Sequence, residues 1–142
     1  MNNEINTRAY AQWVEIDIFA ENMDVIIKKV NLKWGKFYEQ GNKDKEIKPD
    51  EINGYVIKSG KSYKIYSCGR ENASSGTEGS ISLYHENELL GKYYWDCPWG
   101  NKTNKDNLSD VTKDPQYEIS KEGGNYQSGA LGNIKITCRK KS

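Results

Sequence analysis

The chain has 142 residues, a formal net charge of +1 and a mean hydropathy of −0.92. This length suits one domain with a real core, so we predict a single domain over residues 1–142. The near-zero charge argues against binding of DNA or RNA through a large positive field, and no apolar stretch approaches the length of a membrane span.

The N-terminal sequence, MNNEINTRAY, has neither an apolar core nor a secretory cleavage site. We therefore expect a protein that is extracellular, or released from the cell without a recognisable signal peptide. If it meets a membrane, it should do so from the water side, as a peripheral protein.

The first two predicted strands are Ala9–Phe19 and Met23–Trp34. The first alternates, with Val14, Ile16 and Ile18 on one face. In the second, a lysine interrupts the apolar face and indicates a bulge. A short turn separates the two strands, so we expect them to pair as a hairpin.

The following segment, Gly35–Lys45, is charged and is predicted to be irregular, and Pro49–Asn53 is the only credible helix. A loop rich in glycine and serine, long enough to bind a ligand, is predicted over Cys68–Ser80. Further strands are predicted at Tyr55–Ile57, Tyr63–Cys68, Ile81–Tyr84, Leu89–Cys97, Tyr117–Lys121 and Ile134–Cys138. About eight to ten strands with frequent turns predict an all-β protein, a single antiparallel β-sandwich with at most one short helix.

An aromatic stretch at residues 93–104 ends one of these strands. Four aromatic side chains fall within seven residues, and alternation places Tyr93, Trp95 and Cys97 on one face. A proline and a glycine then turn the chain. These rings either fill the sandwich core or form an exposed cluster that meets a lipid head group, a sugar or a partner protein.

The residues usual in metal and catalytic sites are sparse. Cys68, Cys97 and Cys138 form no Cys-x-x-Cys pair, and their odd number leaves at least one thiol unpaired within a monomer. Cys97 and Cys138 lie in strand-like runs and are predicted to be buried free thiols. His85, the only histidine, has no nucleophile partner suggested by the sequence. We therefore predict neither an enzyme, nor a metal site, nor a cofactor.

Seven stretches resemble the aegerolysins, small β-sandwich cytolysin-like proteins of fungi and bacteria. In chain order they are AYAQWV at Ala9–Val14, WGK at Trp34–Lys36, GNKDKEI at Gly41–Ile47, CGR at Cys68–Arg70, ASSGTEG at Ala73–Gly79, WDCPWGNKTN at Trp95–Asn104 and SGALG at Ser128–Gly132. They occur in the family's order and at its spacing across almost the whole chain. The resemblance implies an actinoporin-like sandwich without a catalytic centre.

The resemblance also implies a function. Aegerolysins recognise membrane lipids, typically sphingolipid head groups such as ceramide phosphoethanolamine, or sphingomyelin with cholesterol. A larger partner protein forms the pore, and some bacterial relatives accompany insecticidal proteins. The implied role is the targeting component of a multi-component pore-forming, haemolytic or insecticidal toxin.

The lipid-binding residues that we predict combine this resemblance with the chemistry of the aromatic stretch. They are Trp13, Trp34, Ser75, Tyr94, Trp95, Trp99, Lys102 and Asn104. Lys102 and Asn104 suit a phosphate, and Tyr94 or a tryptophan suits an amine by cation–π contact. For Trp13 and Trp34, a place in the core remains an equal alternative.

One position departs from the family pattern. Members selective for phosphoethanolamine carry a glutamate before the Gly-Thr of the glycine-rich loop, where this chain has Ser75. A serine hydroxyl accepts a hydrogen bond but supplies no charge. Glu71 and Glu78 in the same segment are candidate substitutes.

Two other functions remain open at this stage. Sandwiches with aromatic platforms also bind sugars, so the chain could be a carbohydrate-binding, lectin-like module. The aromatic cluster could instead meet a protein, which would make the chain a protein-interaction subunit of a toxin complex.

Overall fold

The computed structural model describes residues 9–142, and most of the N-terminal sequence on which the export expectation rests lies outside them. The described chain contains eleven strands, one short helix (α1) and a helical turn at residues 9–11. The elements are β1 (Trp13–Glu21), β2 (Val25–Trp34), β3 (Lys36–Glu39), β4 (Asn42–Ile47), α1 (Pro49–Ile52), β5 (Val56–Ile57), β6 (Ser62–Cys68), β7 (Thr77–His85), β8 (Glu88–Cys97), β9 (Lys105–Ser109), β10 (Tyr117–Gly123) and β11 (Gly132–Lys140).

The strands form two sheets that pack as a sandwich, which confirms the predicted fold class. The six-stranded sheet has the order β10-β11-β1-β6-β3-β4, and the five-stranded sheet has the order β5-β2-β7-β8-β9. Neighbouring strands in the described residues run antiparallel, except that β1 and β11 are parallel. The first and last strands of the described chain are therefore neighbours.

The predicted hairpin of the first two strands is wrong. β1 lies in the six-stranded sheet between β11 and β6, whereas β2 lies in the other sheet between β5 and β7. Asn22, in the left-handed region at φ 63°, turns the chain from one sheet to the other. Local turn signals mark such a reversal, but they do not distinguish a hairpin from a crossing between sheets.

Two local features differ from the predictions, and a third agrees with them. The helical turn at residues 9–11 means that the first strand begins at Trp13, not at Ala9. The charged segment predicted as irregular forms β3, in which residues 36–38 are all buried, and the edge strand β4, whose residues are exposed or partly buried. Neither strand alternates between buried and exposed positions, so neither carries a period-2 signal. The bulge expected in β2 is present after Lys28.

Helix α1 forms where Pro49 suggested it. Proline suits the first helical position because its missing N–H has no partner there. The Glu51 carboxylate accepts a hydrogen bond from the Lys48 backbone N–H at 2.7 Å, which caps the same end. No helix among residues 9–142 is both long and apolar enough to cross a membrane.

The core lies between the sheets and follows the alternation seen in the sequence. In β1, Val14, Ile16 and Ile18 are fully buried, while the residues between them are not. In β8, Tyr93, Trp95 and Cys97 are buried in the same way. The outward-facing residues of β7 and β8 are therefore left to form a surface on the outer face of the five-stranded sheet. All three cysteines are buried and free, as was predicted for Cys97 and Cys138.

Candidate functional site

A groove of about 880 Å³ lies on that outer face, where β7 begins and β8 ends. We call it the β7–β8 groove. It is lined by Trp34, Ser74, Ser75, Gly76, Thr77, Glu78, Asp96, Cys97, Pro98, Trp99, Lys102, Thr103 and Lys105. Its volume falls within the usual range for small-ligand sites. Its walls come from the glycine-rich loop before β7 and the aromatic turn after β8.

The floor of the groove is a row of side chains on adjacent strands. Trp34 is the register partner of Glu78, Glu78 of Asp96, and Asp96 of Lys105. Residues directly opposite one another share a face of the sheet. The row therefore presents, in order, an indole, two carboxylates and an ammonium to one side of the sheet.

Glycines allow the walls to meet. A Cβ atom added at Gly76 would lie 1.8 Å from the carbonyl oxygen of Cys97, so the loop backbone rests directly on the end of β8. At Gly35, where φ is +93°, a Cβ would lie 2.5 Å from the Cys68 carbonyl oxygen. Only glycine fits these close approaches without a shift of the backbone. They bring Trp34, the loop and the turn to one place.

A buried chain of hydrogen bonds supports the floor from inside. The Trp95 indole N–H donates to Thr77 Oγ1 at 3.0 Å, and the Thr77 and Ser67 hydroxyls are 2.6 Å apart. Ser67 Oγ donates to the Lys36 carbonyl oxygen at 3.0 Å, so Thr77 is the donor to Ser67. The chain runs from β8 through β7 and β6 to β3 and thereby joins the two sheets beneath the groove.

The glycine-rich loop is anchored from its other side by a buried ammonium. Lys36 is 2% exposed, and its Nζ donates to Glu71 Oε2 at 3.0 Å and to the Tyr10 hydroxyl at 2.9 Å. The Tyr10 hydroxyl also bonds to Glu71, and these two partners lower the pKa of the Glu71 carboxyl. The contacts of the Glu71 carboxylate with Lys36 and Tyr10 therefore hold the loop in place, and Glu71 does not line the groove.

The two carboxylates in the groove have different environments. Glu78 accepts a hydrogen bond from the Tyr94 hydroxyl at 2.6 Å and lies 3.9 Å from the Lys33 ammonium. Burial, followed by the nearby charge of Glu78, raises the pKa of Asp96. Lys102 and Lys105 supply positive charge on the β9 side of the groove.

The structure brings together half of the predicted site residues and separates the others. Trp34, Ser75, Trp99 and Lys102 all line the β7–β8 groove. Tyr94 lies beside it and is bonded to Glu78. Trp34 is 52% exposed, which removes the alternative of a core position.

Trp95 and Asn104 are not placed to touch a ligand, which corrects two predictions. Trp95 is fully buried because it alternates with Tyr93 and Cys97 on the core face of β8. Asn104 is 3% exposed, and its amide nitrogen donates to the carbonyl oxygens of Asn125 (2.8 Å) and Gly129 (3.1 Å). It holds the 125–129 loop against the aromatic turn.

Trp13 lies outside the groove, in a cleft on the outer face of the six-stranded sheet. The Lys43 ammonium lies 5.8 Å from the centre of the Trp13 ring and also 5.8 Å from that of Tyr38. The ring thus already has a cation from its own chain.

Asp96 and Lys105 were not predicted as site residues. The alternation in β8 does place Asp96 on the outer face, opposite Trp95. No local feature of the sequence marks Lys105 as a site residue, because only the pairing of β8 with β9 brings it next to Asp96.

The sequence and fold of the chain are similar to those of known proteins over almost the full length. A sequence model of the family described as Aegerolysin matches residues 11–141. Aegerolysin Aa-Pri1 of Cyclocybe aegerita is 40% identical over 99% of both chains, and Asp-hemolysin of Aspergillus fumigatus is 36% identical over 96% of this chain and 98% of its own. The crystal structure of IP-1A from Alcaligenes faecalis, 54% identical, superposes with a TM-score of 0.91 over 98% of both chains.

Proposed function

The chain belongs to the aegerolysin family, and on that premise we propose that it binds sphingolipid in sterol-containing membranes and directs a larger partner protein to them. Membership of a family with haemolysin-named relatives makes it a lipid-binding, cytolysin-like protein. The proteins of this family are non-enzymatic, and we extend that property to this chain. The partner would be a pore-forming or insecticidal protein, and this chain would act as a peripheral protein on the target membrane after its release.

The observation that carries the proposal is the composition of the β7–β8 groove. The indoles of Trp34 and Trp99 and the ammonium groups of Lys102 and Lys105 line the same groove. Tryptophan favours the interface between lipid and water. Lysine is a point charge suited to a phosphate. One groove therefore offers both an interfacial anchor and a phosphate site.

The proposal predicts binding to vesicles of defined composition. The purified protein should co-sediment with vesicles that contain sphingolipid and sterol, and more weakly with vesicles of glycerophospholipid alone. When the protein acts alone, the vesicles should retain a large encapsulated dye, because we assign pore formation to the partner. Sedimentation and dye release measure the two parts of this prediction separately.

Three results would contradict the proposal. Efficient release of the large dye by the purified protein alone would remove the need for a partner. Binding to glycans without binding to any vesicle would favour the lectin-like alternative. Capture of a toxin partner without lipid, again with no vesicle binding, would favour a protein-interaction subunit.

A further inference from the structure

A second concave surface lies on the outer face of the six-stranded sheet. Within residues 9–142 it shares no lining residue with the β7–β8 groove. It has a volume of about 620 Å³, which is within the usual range for small-ligand sites. We call it the Trp13 cleft, and its lining includes four aromatic rings, a carboxylate and an ammonium: Tyr10, Trp13, Tyr38, Tyr66, Glu15 and Lys43. The proposed lipid-binding function makes no use of this surface.

The aromatic walls of the cleft come from neighbouring strands. Trp13 and Glu15 lie two residues apart on β1 and therefore share a face of the sheet. Glu15 is the register partner of Tyr66 on β6, and the ring centres of Tyr66 and Tyr38, on β3, are 5.6 Å apart. Strand pairing thus fixes the positions of these rings. Flat rings held in this way suit a ring-shaped ligand that presents C–H groups on its face.

The cleft also contains an ammonium without a counter-ion. Lys43 Nζ donates to the Tyr10 carbonyl oxygen at 2.6 Å and lies 5.8 Å from the centres of two rings of the cleft. Among residues 9–142 no carboxylate forms an ion pair with it, whereas Lys36 and Lys121 each have a carboxylate oxygen at 3.0 Å. Burial lowers the pKa of the Lys43 ammonium, because a charge is costly away from water. An anion bound beside Lys43 would offset this cost.

Hydrogen-bond acceptors lie in the same cleft. The partly buried Glu15 carboxylate has neither a hydrogen bond nor an ion pair with another residue of the 9–142 range. Asp44 accepts a hydrogen bond from the Tyr10 hydroxyl at 2.8 Å, which uses only part of its acceptor capacity. The ligand that complements the cleft therefore combines an apolar ring face, an anionic group and several hydroxyl groups.

We propose that the Trp13 cleft binds a sugar that carries a carboxylate. The sugar ring stacks on the aromatic walls, and Lys43 donates hydrogen bonds to the carboxylate. Glu15 and Asp44 accept hydrogen bonds from the hydroxyl groups. Hydrogen bonds between charged partners are the stronger ones, so the carboxylate is the main source of selectivity.

The cleft and the β7–β8 groove lie on opposite faces of the sandwich but near the same end. The Cys97 thiol sulfur, at the end of β8, lies 3.9 Å from the carbonyl oxygen of Trp13, and Cys97 lines the groove. Acidic sugars occur in the glycans of many cell surfaces. The same molecule can therefore contact a lipid and a glycan of one surface, and two linked contacts bind more tightly than either alone.

Two sugars that differ in one group test the proposal on the unmodified protein. In a nuclear magnetic resonance titration, glucuronate should shift the signals of Trp13 and Lys43 and bind about tenfold more tightly than glucose, which has no carboxylate. N-acetylneuraminate, a larger acidic sugar, should shift the same signals. If neither acidic sugar shifted signals of the cleft, or if glucose bound as tightly as both, the proposal would be overturned.

Two further probes separate a sugar site from a general anion site. Acetate and phenylalanine both carry a carboxylate but no sugar hydroxyl groups. Each should bind at least about tenfold more weakly than the tighter of the two acidic sugars, since hydrogen bonds to the carboxylates of the cleft are then lost. Binding of either probe as tight as that of the sugar would contradict the assignment.

A pair of lysine variants tests the role of the ammonium. Lys43→Met keeps a long side chain against the rings but removes the charge, and it should lower the affinity for the acidic sugars about tenfold. Lys45→Met on the same strand is the matched control, because Lys45 is exposed and pairs with Glu39 at 3.0 Å. It should bind the sugars as the parent does. Equal affinities of the two variants would contradict the role of Lys43.

Vesicle binding distinguishes this inference from the proposed function. Lys43→Met, with its fold verified by circular dichroism, should bind sphingolipid–sterol vesicles without glycan as tightly as the parent does. A loss of vesicle binding in this folded variant would show that the cleft serves the lipid and would overturn the inference. If the parent bound the acidic sugars but no vesicle, the proposed function would be wrong and the assignment of the cleft would stand.

Discussion

Replacing Trp95 by alanine is expected to lower the free energy of unfolding by about 3–5 kcal/mol, as is usual when a large buried ring is removed. Trp95 is fully buried, with ring centres 6.2 Å from those of both Phe37 and Tyr93. The substitution would leave a cavity between the sheets and break the hydrogen bond to Thr77. Urea denaturation followed by circular dichroism measures the loss.

A conservative variant separates packing from hydrogen bonding. Trp95→Phe keeps most of the ring but removes the N–H, so Thr77 Oγ1 loses a donor and the cost should be about 1–3 kcal/mol. Both Trp95 variants should lose vesicle binding only to the extent that they unfold. Stability equal to that of the parent in Trp95→Ala would show that this ring is not part of the core.

The second large effect is expected at Asp106, whose side chain is 5% exposed. Its carboxylate accepts hydrogen bonds from the Tyr93 hydroxyl (2.8 Å), the Lys121 ammonium (3.0 Å) and the Tyr126 hydroxyl (2.9 Å). The network joins β9 of one sheet to β10 of the other. Asp106→Ala should cost about 3–5 kcal/mol, because it leaves a largely buried ammonium without its counter-ion.

Two comparisons sharpen this prediction. Glu118→Ala, on the same strand as Lys121, removes a carboxylate whose contact with Arg139, at 3.7 Å, is exposed, so its cost should stay below about 1 kcal/mol. Adding Lys121→Met to Asp106→Ala should recover part of the lost stability, since the unpaired charge is then gone. Equal effects of Asp106→Ala and Glu118→Ala would refute the account of the network.

The sequence was most informative where one face of a strand is buried and the other is not. The alternation of Val14, Ile16 and Ile18 correctly placed the core face of β1, and that of Tyr93 and Trp95 did so for β8. It did not reveal which strands are neighbours. The pairing of β1 with β11 and β6 depends on contacts far apart in the chain, so the hairpin predicted with β2 was wrong.

In the candidate site, too, the local sequence predicted some residues, whereas strand pairing determines the others. Ser75 of the glycine-rich loop and Trp99 and Lys102 of the aromatic turn were among the predicted lipid-binding residues, and all three line the groove. The floor row could not be found this way, because the adjacency of Glu78, Asp96 and Lys105 arises from strand register. Asn104 shares the turn motif with Lys102 but points inward.

The affinity of Trp99→Ala for sphingolipid–sterol vesicles, measured beside its unfolding free energy, tests the central claim most directly. Trp99 follows Pro98 in the turn and lines the groove, so its loss should weaken vesicle binding by about 1–3 kcal/mol, as for the loss of a large interfacial apolar group. Its stability should stay close to that of the parent, and Lys102→Ala should behave in the same way through the lost phosphate contact. If both variants bound every vesicle as tightly as the parent, the β7–β8 groove would not be the lipid site.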